Sequence, residues 1–451
     1  MPHEKFHYKS LEEVKQRAAE LGVDLPFAAD THALAQPLTV RNITFPNRLG
    51  IAPMEGADST PEGAPTEYTT RRYVNEAIGG SSVIWFEAIS IVEEGRSSQT
   101  QLLLNRDTLD EFKKMTTAVK EAGLKANGYA PYLIMQANHS GRYSNPGNKP
   151  APMIAYRHPI LEQYRAADDS CIVTDDYLKG LEEKFGEATK LAKEAGFDAV
   201  DIKSCHGYLL AELASAYNRP GEYGGSFENR FRLLKNGIRA AKVYEDDSFM
   251  VTARIGIYDG YAYPWGFGVS PESGTTPDLT EPIRLVRDLH NELGLNMVNL
   301  TMGNPYATTH VTRPFDFGKY EPDEHPFVGL ARMIHGIGEV KKAVPEMTVW
   351  ASAPSYLRAY ADLFTAGAVE QGLCDGMLFG RMAFADPDFA NEIVKNGRID
   401  PKRVCLTCGK CGDLIRAHKP TGCVIRDSKT FMPFYKEFLK IKKTQPANFR
   451  G

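Results

Sequence analysis

Cys405, Cys408, Cys411 and Cys423 form the pattern C-x2-C-x2-C-x11-C, in a chain of 451 residues that has only seven cysteines. Thiolates are soft ligands, suited to zinc or to iron–sulfur centres. A structural zinc site ordinarily uses two separated C-x2-C pairs. Three cysteines at one regular step, with a fourth further on, match the three corners and the remote ligand of a cubane. The spacing points to a [4Fe–4S] cluster, with zinc as the alternative. Such a centre would either carry electrons or staple the tail to the body of the protein. Cys171, Cys205 and Cys374 are scattered and read as small core residues.

The rest of the composition narrows the setting. Lys and Arg total 53 against 57 Asp and Glu, a net charge of −4. No basic stripe is present, so no nucleic-acid partner is expected. No run of 18 apolar residues occurs, and the start, MPHEKFHYKSLEEVKQ, is polar. Neither a membrane span nor a signal sequence is expected, and the expected location is cytoplasmic. In that reducing compartment, clustered cysteines suggest metal or redox chemistry rather than disulfides.

Positioning such chemistry needs a scaffold, and the apolar rhythm supplies one. Residues 1–40 read as an N-terminal extension, with a helix over SLEEVKQRAAELGV capped by Ser10. Eight apolar runs follow: 49–54, 82–88, 131–136, 198–203, 249–255, 296–301, 348–352 and 375–380. Helical patterns separate them, such as 175–195, stopped by Gly196. Eight strand–helix units predict an α/β fold, a (β/α)8 TIM barrel over 41–396, with a cysteine-cluster extension over 397–451. A doubly wound sheet is the rival, but no G-x-G-x-x-G fingerprint is present. The segments 141–174 and 257–278 are too long for simple connectors and are expected over the barrel mouth.

Barrels do chemistry at the C-terminal ends of their strands. Those ends carry Met54–Glu55, Glu87–Ala88, Gln136, Lys203, Arg254, Ser352–Ala353 and Gly380–Arg381. Arg254 and Gln136 suit the carbonyl and nitrogen edge of a flat heteroaromatic ring. The FGR of 379–381 follows the last strand, where barrels commonly bind phosphate.

Four segments, FPNRLGIAPM (45–54), MQANHSGR (135–142), GFDAVDIKSCHGYLLAELAS…NRPGEYGGSFENRFR (196–232) and DGMLFGRMAFADPDF (375–389), occur in that order. Together they resemble the old yellow enzyme family of flavin-dependent oxidoreductases, over about 45–396. With the cysteine run behind the barrel, the chain is most similar to the iron–sulfur branch that includes 2,4-dienoyl-CoA reductase and trimethylamine dehydrogenase. The resemblance implies FMN at the mouth, with Pro53, Met54 and Ala88 bordering the ring system and Gln136 on its pyrimidine side. Arg254 would face N1 and O2. Ser352, Ala353, Gly380 and Arg381 would hold the phosphate. Lys203, His206 and Tyr208 would form the catalytic site, with Tyr208 as proton donor. In that branch the cluster exchanges single electrons with FMN.

Three positions depart from the family pattern. Lys203 stands where His, Asn or Tyr is usual, which suits a carboxylate or enolate-like substrate. Glu55 replaces a small group near the ring, so a Lys203–Glu55 charge pair is expected. The phosphate strand reads ASAPS, without paired glycines.

The resulting expectation is an FMN- and [4Fe–4S]-dependent enzyme that reduces an activated C=C bond. Flavin N5 would deliver hydride and Tyr208 a proton. Relatives in the iron–sulfur branch continue with nucleotide-binding domains beyond this length. The reductant is therefore expected to be NAD(P)H acting directly, or else an electron-donor protein. Homo-oligomers are expected. One alternative is amine dehydrogenation or demethylation, with Tyr258, Tyr261, Tyr263, Trp265 and Phe267 caging a methylated cation. As a hydrophobic lid, those residues would serve the first reading. A partner-dependent electron-transfer subunit is a further alternative.

Overall fold

The computed structural model describes residues 3–318 and 320–444. The outermost residues of both expected extensions, 1–2 and 445–451, lie outside them.

Eight parallel strands close into a barrel. They are β3 (Leu49–Ile51), β4 (Val83–Ser90), β5 (Tyr132–Asn138), β6 (Ala199–Ser204), β7 (Met250–Gly256), β8 (Met297–Thr301), β9 (Thr348–Ser352) and β10 (Gly376–Phe379). β10 pairs with β3 through Met377–Leu49, Leu378–Gly50 and Phe379–Ile51, which completes the ring. Each strand lies within or beside one of the eight apolar runs. Strands buried on both faces must be apolar throughout, which is why plain hydrophobic runs located them. The helix after β5, Asp175–Glu194, buries Leu178, Leu181, Phe185, Ala188 and Ala192. Gly196 follows it at φ +85, a left-handed turn that ends the helix.

A hairpin of β1 (Leu38–Val40) and β2 (Ile43–Phe45) was not foreseen, because each strand is only three residues long. It plugs the lower end of the barrel. Phe45 packs edge-on to Tyr132 and Trp350. With Trp85, Ile134, Met250 and Met297 it forms the interior apolar layer. The polar groups of β5 to β8 lie above this layer, toward the mouth.

The N-terminal helix, Leu11–Glu20, is capped as expected: Ser10 Oγ accepts from the Glu13 backbone N–H at 3.2 Å. The segment before it threads Tyr8 against Phe327.

Beyond the last barrel helix, Arg403 bonds Asp386 and Glu392 at 2.6 and 3.0 Å. The tail then forms a short helix, Lys410–Arg416, and a longer one, Ser428–Thr444. Leu414, Val424 and Phe431 make a small core of their own. Arg71 on the first barrel helix, Glu67–Ile78, pins the tail through Asp427 at 2.7 Å. Among the described residues, no helix is long and apolar enough to cross a membrane.

Candidate active site

At the C-terminal end of β6 the chain turns sharply. His206 and Gly207 take successive left-handed conformations, φ +66 and +68. A Cβ on Gly207 would collide with the Asn304 amide, so glycine is required there. Non-glycine residues rarely hold such angles, and strain of this kind clusters at functional sites. The turn brings Lys203, His206 and Tyr208 together. The Lys203 ammonium sits 3.7 Å from the centre of the Tyr208 ring. His206 Nε2 lies 3.4 Å from Thr301 Oγ1. The Tyr208 hydroxyl is hydrogen-bonded to the Tyr306 hydroxyl at 2.9 Å.

Strand register places Lys203 beside Arg254, and Arg254 beside Asn299. Asn299 donates to Ser352 Oγ at 3.1 Å and to the Trp350 carbonyl at 2.8 Å. Below this row lies Asp201. It accepts from Trp85 Nε1 at 2.7 Å, Gln136 Nε2 at 2.6 Å and the Arg254 backbone N–H at 2.5 Å. Gln136 is thus oriented by Asp201.

Two buried cations at this level lack a carboxylate. Among the described residues, neither the Lys203 ammonium nor the Arg254 guanidinium makes a hydrogen bond or an ion pair, although both residues are at least 94% buried. Burial pushes the Lys203 ammonium down to about 8. It drives His206 well below the ordinary imidazole range, with Arg254 and Lys203 adding like-charge repulsion. Burial also drives the Tyr208 phenol well above its ordinary value, so it stays protonated. Uncompensated buried charge is costly. This row is therefore built to receive an anionic, acceptor-rich ligand.

The expected Lys203–Glu55 contact does not form. Glu55 instead accepts from Ser97 Oγ at 2.7 Å, while Lys203 lies over Tyr208. Glu55 acts on Lys203 only through space, favouring its charged form. The side chain of a lysine reaches the aromatic face with its stem still packed, and that contact displaces the ion pair.

The other predicted residues surround the mouth. Pro53, Met54 and Glu55 follow β3 and are half-buried. Met54 packs over Gly380, where a Cβ would come within 2.9 Å of its sulfur. Ala88 is buried in β4. Ala353 adopts a left-handed φ of +73, taking the conformation a glycine would supply in the family pattern. The Arg381 guanidinium donates to the Pro314 carbonyl at 2.9 Å.

Several residues at the mouth were missed. A third long connector, 302–325, supplies Tyr306 and Arg313. Tyr306 stacks on Tyr143 at 3.7 Å, and both meet Tyr208 edge-on. The aromatic enclosure therefore comes from Tyr143, Tyr208 and Tyr306. In the 257–278 loop, Trp265 stacks on Tyr156, Tyr261 packs on Leu161, and Tyr258 and Phe267 are buried. Those residues join the two long loops as a packed lid. Arg313 is a cation without a hydrogen-bond partner among the described residues, pushed down to about 10 by burial and then by Arg381. From the tail, the Thr421 N–H donates to the Gly56 carbonyl at 2.8 Å, which closes the tail loop onto the rim. The length of 302–325 was the one available signal.

All four predicted metal-ligand cysteines, Cys405, Cys408, Cys411 and Cys423, line a single cavity with Arg381. Backbone N–H groups of Thr407 and Arg426 donate to Cys405 Sγ and Cys423 Sγ, each at 3.3 Å. Among the described residues, no three metal-ligating side chains close around one ion. The thiols thus share one enclosure.

Other motif residues turn out to be structural. Arg142 forms a fully buried ion pair with Glu212. Arg219 ties the Ala155 and Val173 carbonyls to Asp175. Arg230 holds the Ala214 carbonyl at 2.5 Å and pairs with Glu281.

Comparisons with known proteins agree with this architecture. Residues 33–265 match the profile of the NADH:flavin oxidoreductase / NADH oxidase family. The NADPH dehydrogenase of Bacillus subtilis (strain 168) is 32% identical over 231 residues, 50% of this chain and 64% of that protein. That of Bacillus velezensis is 33% identical over 223 residues, 48% of this chain and 62% of the relative. The chain thus spans under two thirds of the length of these two relatives. Among solved structures, 2-naphthoyl-CoA reductase in complex with 2-naphthoyl-CoA superposes with a TM-score of 0.71 at 19% identity, covering 90% of this chain and 58% of the other. Histamine dehydrogenase from Rhizobium sp. 4-9 gives 0.66 at 19% identity, covering 87% and 52%. At such identities the likeness establishes the barrel fold alone. With the profile matching more than half its length, the chain belongs to the NADH:flavin oxidoreductase / NADH oxidase family.

Proposed function

We propose that this protein is an FMN- and [4Fe–4S]-dependent oxidoreductase that reduces a C=C bond conjugated to a carboxylate or acyl group. The reading rests on one observation: two buried cations without a hydrogen bond or ion pair, Lys203 and Arg254, in one row beside a protonated phenol, Tyr208. We place the barrel at 41–396, between extensions at 1–40 and 397–451.

The donor set fits FMN. Arg254, with its buried Nε lacking an acceptor, suits the carbonyl and nitrogen edge of the ring system. Gln136 would lie on the pyrimidine side, and Pro53, Met54 and Ala88 would border the ring. Ser352, Ala353, Gly380 and Arg381 would hold the phosphate. The cofactor supplies the hydride, and NAD(P)H is the proposed reductant, in keeping with the NADPH dehydrogenase relatives.

The protein's own groups do the rest. The Lys203 ammonium binds the substrate carboxylate and favours negative charge developing on the conjugated oxygen. Neutral His206 offers a ring N–H to the same oxygen. Tyr208 donates its phenolic proton to the α-carbon, and Tyr306, at 2.9 Å from it, passes a replacement proton inward from the rim. The loops 141–174 and 257–278 exclude water.

The four thiols fit a cubane better than zinc. They line one cavity, and their C-x2-C-x2-C-x11-C spacing suits the corners of a cubane. Backbone N–H donors at two of the sulfurs suit thiolate ligands.

A cationic amine substrate is the second reading, favoured by the tyrosine enclosure. Lys203 opposes it, because its ammonium already occupies the Tyr208 ring face that a substrate cation would take.

The test is anaerobic purification with flavin, iron and sulfide assay, followed by turnover with NADH or NADPH. The expected outcome is a 2-enoate reduced and a methylated amine untouched. Oxidation of the amine, or a colourless zinc-loaded protein, would refute the proposal.

A further inference from the structure

Away from the barrel mouth, a cavity of about 400 Å³ opens where the first barrel helix meets the tail. It is lined by Asn75, Glu76, Lys402 and Arg426, and by Arg71 paired with Asp427 at 2.7 Å. Phe384, Phe431 and Pro387 give it an apolar side. None of these residues lies at the barrel mouth, although Phe384 and Arg426 also line the neighbouring thiol cavity.

Three observations mark it as a binding site rather than a gap in the surface. Its cations exceed its acids, and two of them have no carboxylate. Among the described residues, the Lys402 side chain makes no hydrogen bond or ion pair, and the Arg426 guanidinium reaches only the Val404 carbonyl, at 3.3–3.4 Å. The lining carries an orphan group: Glu76 is 2% exposed, and its Oε2 has no partner. The Asn75 side-chain amide is likewise unpartnered among the described residues. A buried polar atom without a partner is expensive, and a ligand atom would relieve it. The volume lies within the range of small-molecule sites.

The chemistry of the walls selects the ligand. Unpaired cations at the opening call for phosphate. Phenylalanines on one side call for a flat ring. Burial pushes the Glu76 carboxyl up to about 8, so it is protonated at neutral pH and can both donate and accept. An acid beside an amide matches the mixed donor and acceptor edge of a nucleobase.

We propose that this cavity binds a nucleoside phosphate, with Lys402 and Arg426 at the phosphates, Phe384 and Phe431 against the base, and Asn75 and Glu76 reading its edge. Arg426 links the site to the thiol set, since its backbone N–H donates to Cys423 Sγ at 3.3 Å. An occupant would therefore meet the same residue that supports the fourth cysteine.

Calorimetric titration of the full-length, flavin- and iron-loaded protein tests this, with ADP, pyrophosphate and adenosine as separate probes. ADP is expected to bind with a Kd well below about 1 mM and about tenfold more tightly than pyrophosphate. Lys402→Glu should weaken ADP and pyrophosphate by about tenfold with flavin and iron content unchanged. Asn75→Leu should weaken ADP alone. Lys203→Met, at the barrel mouth, should leave ADP affinity as it is. The proposal is overturned if ADP does not bind, if pyrophosphate binds as well as ADP, if Lys402→Glu has no effect, or if Lys203→Met abolishes binding.

Discussion

Two sets of buried cations, all but Arg254 drawn from the recognisable motifs, end in opposite circumstances. Arg142, Arg219 and Arg230 each meet a carboxylate: Glu212, Asp175 and Glu281. Lys203 and Arg254 are as deeply buried and meet none. The first set staples the loops that surround the mouth. The second leaves its charge open toward the space those loops enclose. A buried cation with a partner is thus a fastener, and one without a partner is half of a binding site. Residue type and motif membership do not separate the two; the presence of a counter-charge does.

Breaking a fastener should produce the largest effect. Arg142→Ala strands Glu212 in the core, at a cost of about 3–5 kcal/mol. Thermal unfolding should show a large loss of stability, or no soluble protein. A Tm close to that of the parent would move Arg142 out of the first set.

A change inside the open set should spare the fold and strike the reaction. Tyr208→Phe keeps the ring beneath Lys203 but removes the proposed proton donor. We expect kcat for a 2-enoate to fall by about 10²–10⁴, with Tm nearly unchanged. Steady-state kinetics beside a melting curve would check both halves. If kcat survives, Tyr208 is not the acid.

The smallest effect concerns Lys203 and carries a pH signature. Burial lowers this ammonium to about 8, below its ordinary value. The charged form therefore burdens the folded state below about pH 8, and that burden fades as pH rises from there toward the ordinary lysine range. On the proposed mechanism activity runs the other way: the ammonium that would grip a carboxylate is lost as pH passes about 8. KM for an enoate should rise above about pH 8 in the parent. Lys203→Met should raise KM by about tenfold at pH 7, flatten that pH dependence, and raise Tm slightly. A KM that remains pH-dependent in the variant would assign the titration to another group.

The cysteine tail sharpens the contrast from another side. Its four thiols were legible as a candidate ligand set because a regular C-x2-C step is rare by chance, and the fold brings them to one cavity. Arg313 was not legible. It lies in the connector 302–325, with no apolar rhythm or spacing to single it out, and it acquires meaning only by folding between Arg381 and Cys411. Tyr143 and Tyr306 are similar: 163 residues apart in sequence, they stack face to face. The Lys203–Glu55 pair was expected from opposite charge and from the place of both residues in the family pattern. The fold instead offers Glu55 a serine hydroxyl and Lys203 an aromatic face.

The chain's own order of residues determined the eight strands, the helices between them, the capped N-terminal helix and the metal-ligand spacing. Each of these depends on neighbours within a few residues, where periodicity and local hydrogen bonding decide the outcome. Only the closed barrel decided which buried charges have partners, which tyrosines enclose the mouth and where the tail leaves a cavity. Those outcomes depend on groups brought together from distant parts of the chain, and electrostatic and packing energies act across space rather than along it.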